Sequence, residues 1–321
     1  MKHFRTAGSA AWTEARMPDQ SGRIAVVTGA NSGIGYVTAR ELARRGAYTV
    51  LACRDRARGE AALDRLRAEA PAARAELRLL DLASLAGIRA FAAAWDHDRL
   101  DLLINNAGLV MPPLTRTADG FEAQFGVNHL GAYALTGLLL PRLLRADAPR
   151  VVTVSSEGQL LAPFDLANLN AERRYVPRVA YGQSKRANVY FSAQLHRWAT
   201  AHGLPLRSMI AVPGMTDTGV ISKVGHSGRL WRALVPRAVH ALAKPVVNGA
   251  RPSLYAATAP DLPGGSYIAP RGPLQIYGAP APRHGRRTVR DRGTAAALWE
   301  LSERLTEVRY ELPGRTAPAG G

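Results

Sequence analysis

A chain of 321 residues with 47% hydrophobic content can bury one large core or two smaller ones. Its formal net charge of +17 raises nucleic acid or an anionic membrane as a partner, but the arginines recur through most segments. The one denser stretch, RHGRRTVRDR at 283–292, has no interleaved aromatics and no helix-turn-helix pattern, so the charge is read as an arginine-rich solvated surface and no nucleic acid is expected. Cys53 is the only cysteine, which excludes an intramolecular disulfide and a cysteine-based metal cluster; a reducing compartment fits, and no metal is expected. The first residues, MKHFRTAGSAAWTEARMPDQ, lack the apolar run of roughly 7–15 residues of a signal peptide. No stretch approaches the roughly 20 apolar residues of a transmembrane segment, so a soluble, cytoplasmic protein is expected.

Residues 1–22 read as an N-terminal arm. After it, short β-rich runs alternate with helical patterns: IAVVT at 24–28 precedes a helix opening near Gly33, and TVLAC at 49–53 precedes a charged helix around 56–70. ELRLL at 76–80 leads to a helix around 84–95, and LDLLIN at 100–105 to a long one around 119–145. RVVTVS at 150–155 is a fifth strand, a helix follows at about 180–202, and LRSMIAV at 206–212 is a sixth strand. Near-continuously apolar strands joined by helices predict an α/β fold, a single Rossmann-type doubly wound parallel sheet with helices on both faces, over 23–270. From 271 to 321 the chain is an extension, first Pro- and Gly-rich and then helical over about 294–308. There Leu298, Leu301, Leu305 and Val308 form one apolar stripe, suited to packing on the main domain or on a second subunit.

Ligands of such a sheet bind beyond the C-terminal strand ends. The first strand runs into TGANSGIG, which places Gly29, Asn31, Ser32, Gly33, Ile34 and Gly35 at a strand-to-helix turn. Glycines there allow positive φ and let a pyrophosphate reach backbone N–H groups at the helix N-terminus. The second strand ends in ACRD: Arg54 favours the 2′-phosphate of NADP, while Asp55 is the other candidate, as a ribose ligand. Asp81 and Leu82 follow strand three at the adenine edge, and Asn106, Ala107 and Gly108 of NNAG follow strand four where the backbone passes close to the cofactor.

YGQSK at 181–185 holds one of only four lysines, with Lys2, Lys223 and Lys244, in a chain that otherwise uses arginine. Tyr181 and Lys185 are one helical turn apart on one face. Making a tyrosine useful near neutrality needs a shift of roughly three pKa units, about 4 kcal/mol. A cation about 4 Å away supplies that at an effective dielectric near 20.

TGxxxGxG, NNAG, YxxSK and the PG of VPGMTDT occur in the order of the short-chain dehydrogenase/reductase family, and residues 22–270 resemble it. ACRD, FGVNHLG, VSS and the long gap before YGQSK look like the branch of retinol-dehydrogenase-like and protochlorophyllide-reductase-like proteins. The resemblance implies that Tyr181 is the proton donor or acceptor and that Lys185 contacts the ribose and lowers the tyrosine pKa. It implies further that Ser156, rather than Ser155, holds the reacting oxygen and that Asn128 anchors a water-mediated proton relay. Pro213 and Gly214 would lie near the nicotinamide, with Thr218 on its carboxamide or phosphates. The chain departs from that branch with Val212, and with Gly158 or Gln159, where histidines are common. NADP(H) is thus the expected cofactor, and hydride transfer to or from a carbonyl/alcohol of a bulky hydrophobic small molecule the expected reaction. A ring C=C reductase and a catalytically idle dinucleotide-binding scaffold are the alternatives. Family members commonly form homo-oligomers through helix faces, and one is expected here.

The substrate lid is expected at about 216–246, where Leu230, Trp231, Leu234, Val235, Val239 and Leu242 make an apolar face, with His226 and His240 as surface or packing residues. Leu160, Leu161, Pro163 and Phe164, in the 157–180 connection, are candidates to close another side of the pocket.

Overall fold

The computed structural model describes residues 11–160, 163–214, 246–272, 277–283 and 287–312. Strand β1, Ile24–Thr28, shows why the fold forms: Ala25 and Val27 point into one hydrophobic cluster, and Val26 into the cluster on the opposite face. The same alternation recurs in β4 (Leu102–Asn105) and β5 (Arg150–Val154), so apolar residues on both sides of the pleat demand cover on both faces. The other strands are β2 (Tyr48–Cys53), β3 (Ala75–Leu79), β6 (Arg207–Ala211), β7 (Tyr267–Pro270) and β8 (Pro280–Pro282). Their order in the sheet is β3-β2-β1-β4-β5-β6-β7-β8, parallel except for the antiparallel β7–β8 pair. The order reverses between β1 and β4, which opens a crevice at their C-terminal ends.

One face is covered by α1 (Gly33–Arg44) and α2 (Arg56–Glu69), the other by α3 (Leu85–Ala93) and a composite helix. That helix, expected over about 119–145, begins later, at Ala123. Both carboxylate oxygens of Glu122 cap it, accepting from the N–H of Gln124 at 2.9 Å and of Phe125 at 2.8 Å. It then runs as α4 (Ala123–Phe125), a π-helical turn at Gly126–Leu130, and α5 (Gly131–Leu143). Next come α6 (Pro177–Ala201), α7 (Val246–Thr258), the short α8 (Arg287–Arg290) and α9 (Arg292–Thr306). Ahead of β1, Met17 is buried and Glu14 pairs with Arg251 of α7 at 2.8 Å.

The C-terminal helix, expected over about 294–308, ends at Thr306, and Glu307 turns the chain through the left-handed region with φ of 55°. Leu298 is buried on the helix, whereas Val308 lies past its end and joins a different cluster with Tyr310. Tyr310 donates its hydroxyl to the Tyr133 carbonyl at 2.8 Å and packs at a tilt of 53° on Trp299 with ring centres 4.5 Å apart. Gly137 of α5 makes room for this return: a Cβ there would lie 2.6 Å from Val308 and 2.9 Å from Tyr310. Among the described residues, no helix is long and apolar enough to cross a membrane.

Tyr310→Ala is therefore expected to lower the unfolding free energy by about 3–5 kcal/mol, the range for emptying a buried aromatic site. Tyr310→Phe should remove only one hydrogen bond, about 1 kcal/mol. Urea denaturation of both variants checks the ratio.

Candidate active site

A cleft of about 570 Å³ opens where the sheet order reverses. Its floor is the turn between β1 and α1, and it is lined by Gly29, Asn31, Ser32, Gly33, Ile34 and Gly35. Gly29 and Gly33 have φ of +67° and +57°. A side chain on Gly29 would meet Ala107 at 2.9 Å, and one on Gly35 would overlap the Gly29 carbonyl and the Asn106 amide. The backbone is thus pressed bare into the cleft beside a helix N-terminus, a cradle that suits a pyrophosphate.

At one end of the cleft stand Arg54, Asp81 and Leu82. Asp55 is engaged elsewhere: its carboxylate caps α2 by accepting from the Arg58 N–H at 3.0 Å, and it does not line the cleft. Asp81 accepts from the Ala83 N–H at 2.9 Å, which fixes the turn after β3. On the wall, Asn106, Ala107 and Gly108 are held by Thr28, whose hydroxyl accepts from the N–H of Asn106 and of Ala107, each at 3.0 Å. The Asn106 amide donates to the Thr28 carbonyl at 2.8 Å.

Ser156, Tyr181, Lys185, Pro213 and Gly214 line the other end. Ser155 and Ser156 both line the cleft, but Ser155, fully buried, spends its hydroxyl proton on the Lys185 carbonyl at 2.7 Å and so locks α6 to the end of β5. Lys185 is buried and its ammonium donates to the Val154 carbonyl at 3.2 Å. Asn128, in the π-helical turn, lies behind the lining. It accepts from the Leu109 N–H at 2.7 Å and donates to the Leu109 carbonyl at 3.0 Å and to the Ser184 hydroxyl at 2.9 Å.

A family model described as short chain dehydrogenase matches residues 23–227. The chain belongs to the short chain dehydrogenase family. Retinol dehydrogenase 12 of Mus musculus is 37% identical over 309 residues, 95% of this chain and 92% of the relative. Polyprenol dehydrogenase of the same species is 40% identical over 298 residues, covering 90% and 85%. A crystal structure of an uncharacterized Mycobacterium paratuberculosis protein shares 44% identity at a TM-score of 0.79, covering 94% of this chain and all of that one (100%). Pseudomonas aeruginosa RhlG, solved as an NADP active-site complex, shares 26% at a TM-score of 0.55, covering 75% and 91%.

In this short chain dehydrogenase burial raises the Tyr181 phenol, and the hydrogen bond with Ser156 opposes that rise. Burial alone also pulls Lys185 down to about 8, so loss of hydration pushes both groups toward their neutral forms. Leu160, Pro163 and Phe164 do not line the cleft, and Phe164 packs on Tyr190, ring centres 5.0 Å apart. Thr218, Leu161, His226, His240 and the apolar face of the lid lie outside the described residues.

Arg58, Thr28 and Ser184 were not singled out from the sequence. Arg58 lines the cleft one helical turn beyond Arg54, a spacing visible in RDRAR once Asp55 is recognised as the helix cap. Ser184 lies within YGQSK, but its bond to Asn128 spans 56 residues and leaves no local trace in the sequence.

The buried Lys185 carries a stability consequence. Its folded pKa lies below its unfolded value, so the unfolded chain binds the proton more tightly and burial destabilises the protein fully below pH 8. Stability then rises from about pH 8 to the unfolded pKa near 10.4. Lys185→Met, which leaves the Val154 carbonyl its second donor, Asn188 at 3.1 Å, is expected to be more stable than the unaltered protein at pH 7. The gain should reach about 3 kcal/mol and vanish by about pH 10.5. Urea melts of both proteins at pH 7 and 10.5 decide it, since a gain independent of pH contradicts the account.

Proposed function

We propose that this chain is an NADP-dependent oxidoreductase that interconverts a carbonyl and an alcohol on a bulky, hydrophobic small molecule, with Tyr181 as general acid and base. The observation that carries this reading is that Ser156, Tyr181 and Lys185 meet at one end of the cleft whose other end holds Arg54 and Arg58. Two guanidiniums suit a 2′-phosphate, and with Asp55 engaged as a helix cap the ribose reading loses its ligand. The names of the mouse relatives, retinol and polyprenol dehydrogenase, support a long apolar alcohol or its carbonyl as substrate class.

When bound, the nicotinamide supplies or takes the hydride. In reduction, Tyr181 gives its phenolic proton to the substrate oxygen as that oxygen gains charge, and the Ser156 hydroxyl donates to the same atom. A phenol with its ordinary pKa of about 10 is already protonated near neutrality, so Tyr181 stands ready as the proton donor in reduction. Lys185, whose ammonium donates to the Val154 carbonyl, would offer its remaining hydrogens to the nicotinamide ribose. Both amide hydrogens of Asn128 are engaged by Leu109 and Ser184, so its side chain holds the wall in place and any part in a proton relay falls to its backbone.

Titration with NADPH and NADH, followed by nicotinamide fluorescence, is expected to show at least about tenfold tighter binding of NADPH, a preference that Arg54→Asp abolishes and Arg58→Ala weakens. All-trans-retinal should be reduced at the expense of NADPH, and Tyr181→Phe should end turnover while leaving NADPH binding intact. Failure to bind either nucleotide would overturn the reading; binding without turnover would favour a scaffold.

A further inference from the structure

We propose that Gly158 is a positioning residue for the proton transfer: its N–H orients the Ser156 hydroxyl, and its lack of a side chain lets the Tyr181 ring sit beside that hydroxyl. The inference rests on the carbonyl chemistry proposed above.

A serine hydroxyl has one proton and two lone pairs. The N–H of Gly158 donates to the Ser156 oxygen at 3.1 Å and occupies one lone pair. The hydroxyl proton is thereby turned away from Gly158 and toward the cleft, where Tyr181 stands. Ser156 then acts as a donor to the reacting oxygen, alongside the phenol, and the two protons converge on one atom.

The missing side chain is a separate requirement. A Cβ on Gly158 would lie 2.9 Å from Cε1 and 3.3 Å from Cδ1 of Tyr181, and 3.4 Å from the Ser156 oxygen. Gly158 is not among the glycines with positive φ, so its backbone would accept alanine; the tyrosine ring is what excludes a side chain. A larger residue must displace either the ring or the turn that carries Ser156.

That turn is held from two sides and cannot yield freely. Arg186, the residue after Lys185 on α6, donates through its Nε at 2.9 Å and through a terminal nitrogen to the Gln159 carbonyl. The Gln159 amide, itself 1% exposed, donates to the Tyr267 hydroxyl of β7 at 2.7 Å. The helix bearing Tyr181 and Lys185 thus also grips the turn bearing Ser156, and this grip sets the distance between the two proton-bearing groups.

The test compares NADPH-dependent reduction of all-trans-retinal by the full chain and by Gly158→Ala, alongside NADPH titration and thermal melting. The variant is expected to lose about tenfold or more in kcat, because displacements of a fraction of an ångström at reacting groups act on the rate. Its NADPH dissociation constant should stay within about twofold. Tyr267→Phe, which keeps the ring but frees the Gln159 amide, should show a smaller fall in kcat with the same unchanged NADPH affinity, and it carries the test if Gly158→Ala does not fold. A kcat within about twofold of the unaltered protein in Gly158→Ala, or in Tyr267→Phe where only that variant folds, overturns this inference and leaves the carbonyl reading intact. An unaltered protein that binds NADPH but reduces no retinal overturns both.

Discussion

Burial of one ammonium group against one carbonyl is the constraint around which this site is built. Lys185 is buried, its charge meets no carboxylate among the described residues, and its bond to Val154 is its only one there. Such a group is costly, and it persists only where the surroundings leave it nowhere else to go. The surroundings here are rigid. Val154 closes β5, paired with β6 in the middle of the sheet, and Ser155 ties the next turn to the Lys185 carbonyl. Strand and helix are therefore joined in both directions at the same point, and the ammonium cannot swing out without breaking that junction.

The opposite wall obeys the same logic by a different route. A regular helix through residues 123–143 would keep every side chain after residue 130 in the same phase as those before it. The π-helical turn at Gly126–Leu130 inserts a rotation locally, where Asn128 can bridge Leu109 after β4 and Ser184 on α6. Gly108 lies between the two walls, and a Cβ on it would come within 3.1 Å of Asn128 and 3.2 Å of Lys185. The gap left for a ligand is thus defined by groups fixed from both sides, which is the condition for electrostatic preorganisation.

What could be read from the sequence follows from how local each signal is. β1, β2 and β5 were legible because unbroken apolar runs have one sensible fate in a chain of this pattern. The glycine turn was legible because its neighbours in sequence are its neighbours in space. β7 and β8, four and three residues long, carried too little periodicity, and the π-helical turn has the composition of any buried helix. Spacing places Lys185 on the same face as Tyr181, but only the fold shows that both groups are stripped of water. Sequence adjacency predicts attraction between charges and says nothing of desolvation.

The choice of lysine at 185 in an arginine-rich chain can be argued by comparison with Arg150, the other strongly buried cation with a large shift. Arg150 donates to three carbonyls at and beyond the C-terminus of α7, those of Ala256 at 3.1 Å, Ala259 at 2.8 Å and Pro260 at 3.5 Å. Burial still lowers it, to about 10. A planar guanidinium with five N–H groups is tolerable there because a helix end supplies several acceptors in a fan. At 185 the fold offers one carbonyl, and Gly108 nearby leaves no room for a side chain, since a Cβ there would lie 3.2 Å from the ammonium. A guanidinium in that space would leave most of its N–H groups without partners. An ammonium needs one fixed acceptor and can turn its remaining hydrogens toward the cleft, where hydroxyl groups of a ligand would complete them. The lysine is thus selected by the number of acceptors the strand end can offer, and its unmet hydrogens are the feature that a ribose would satisfy.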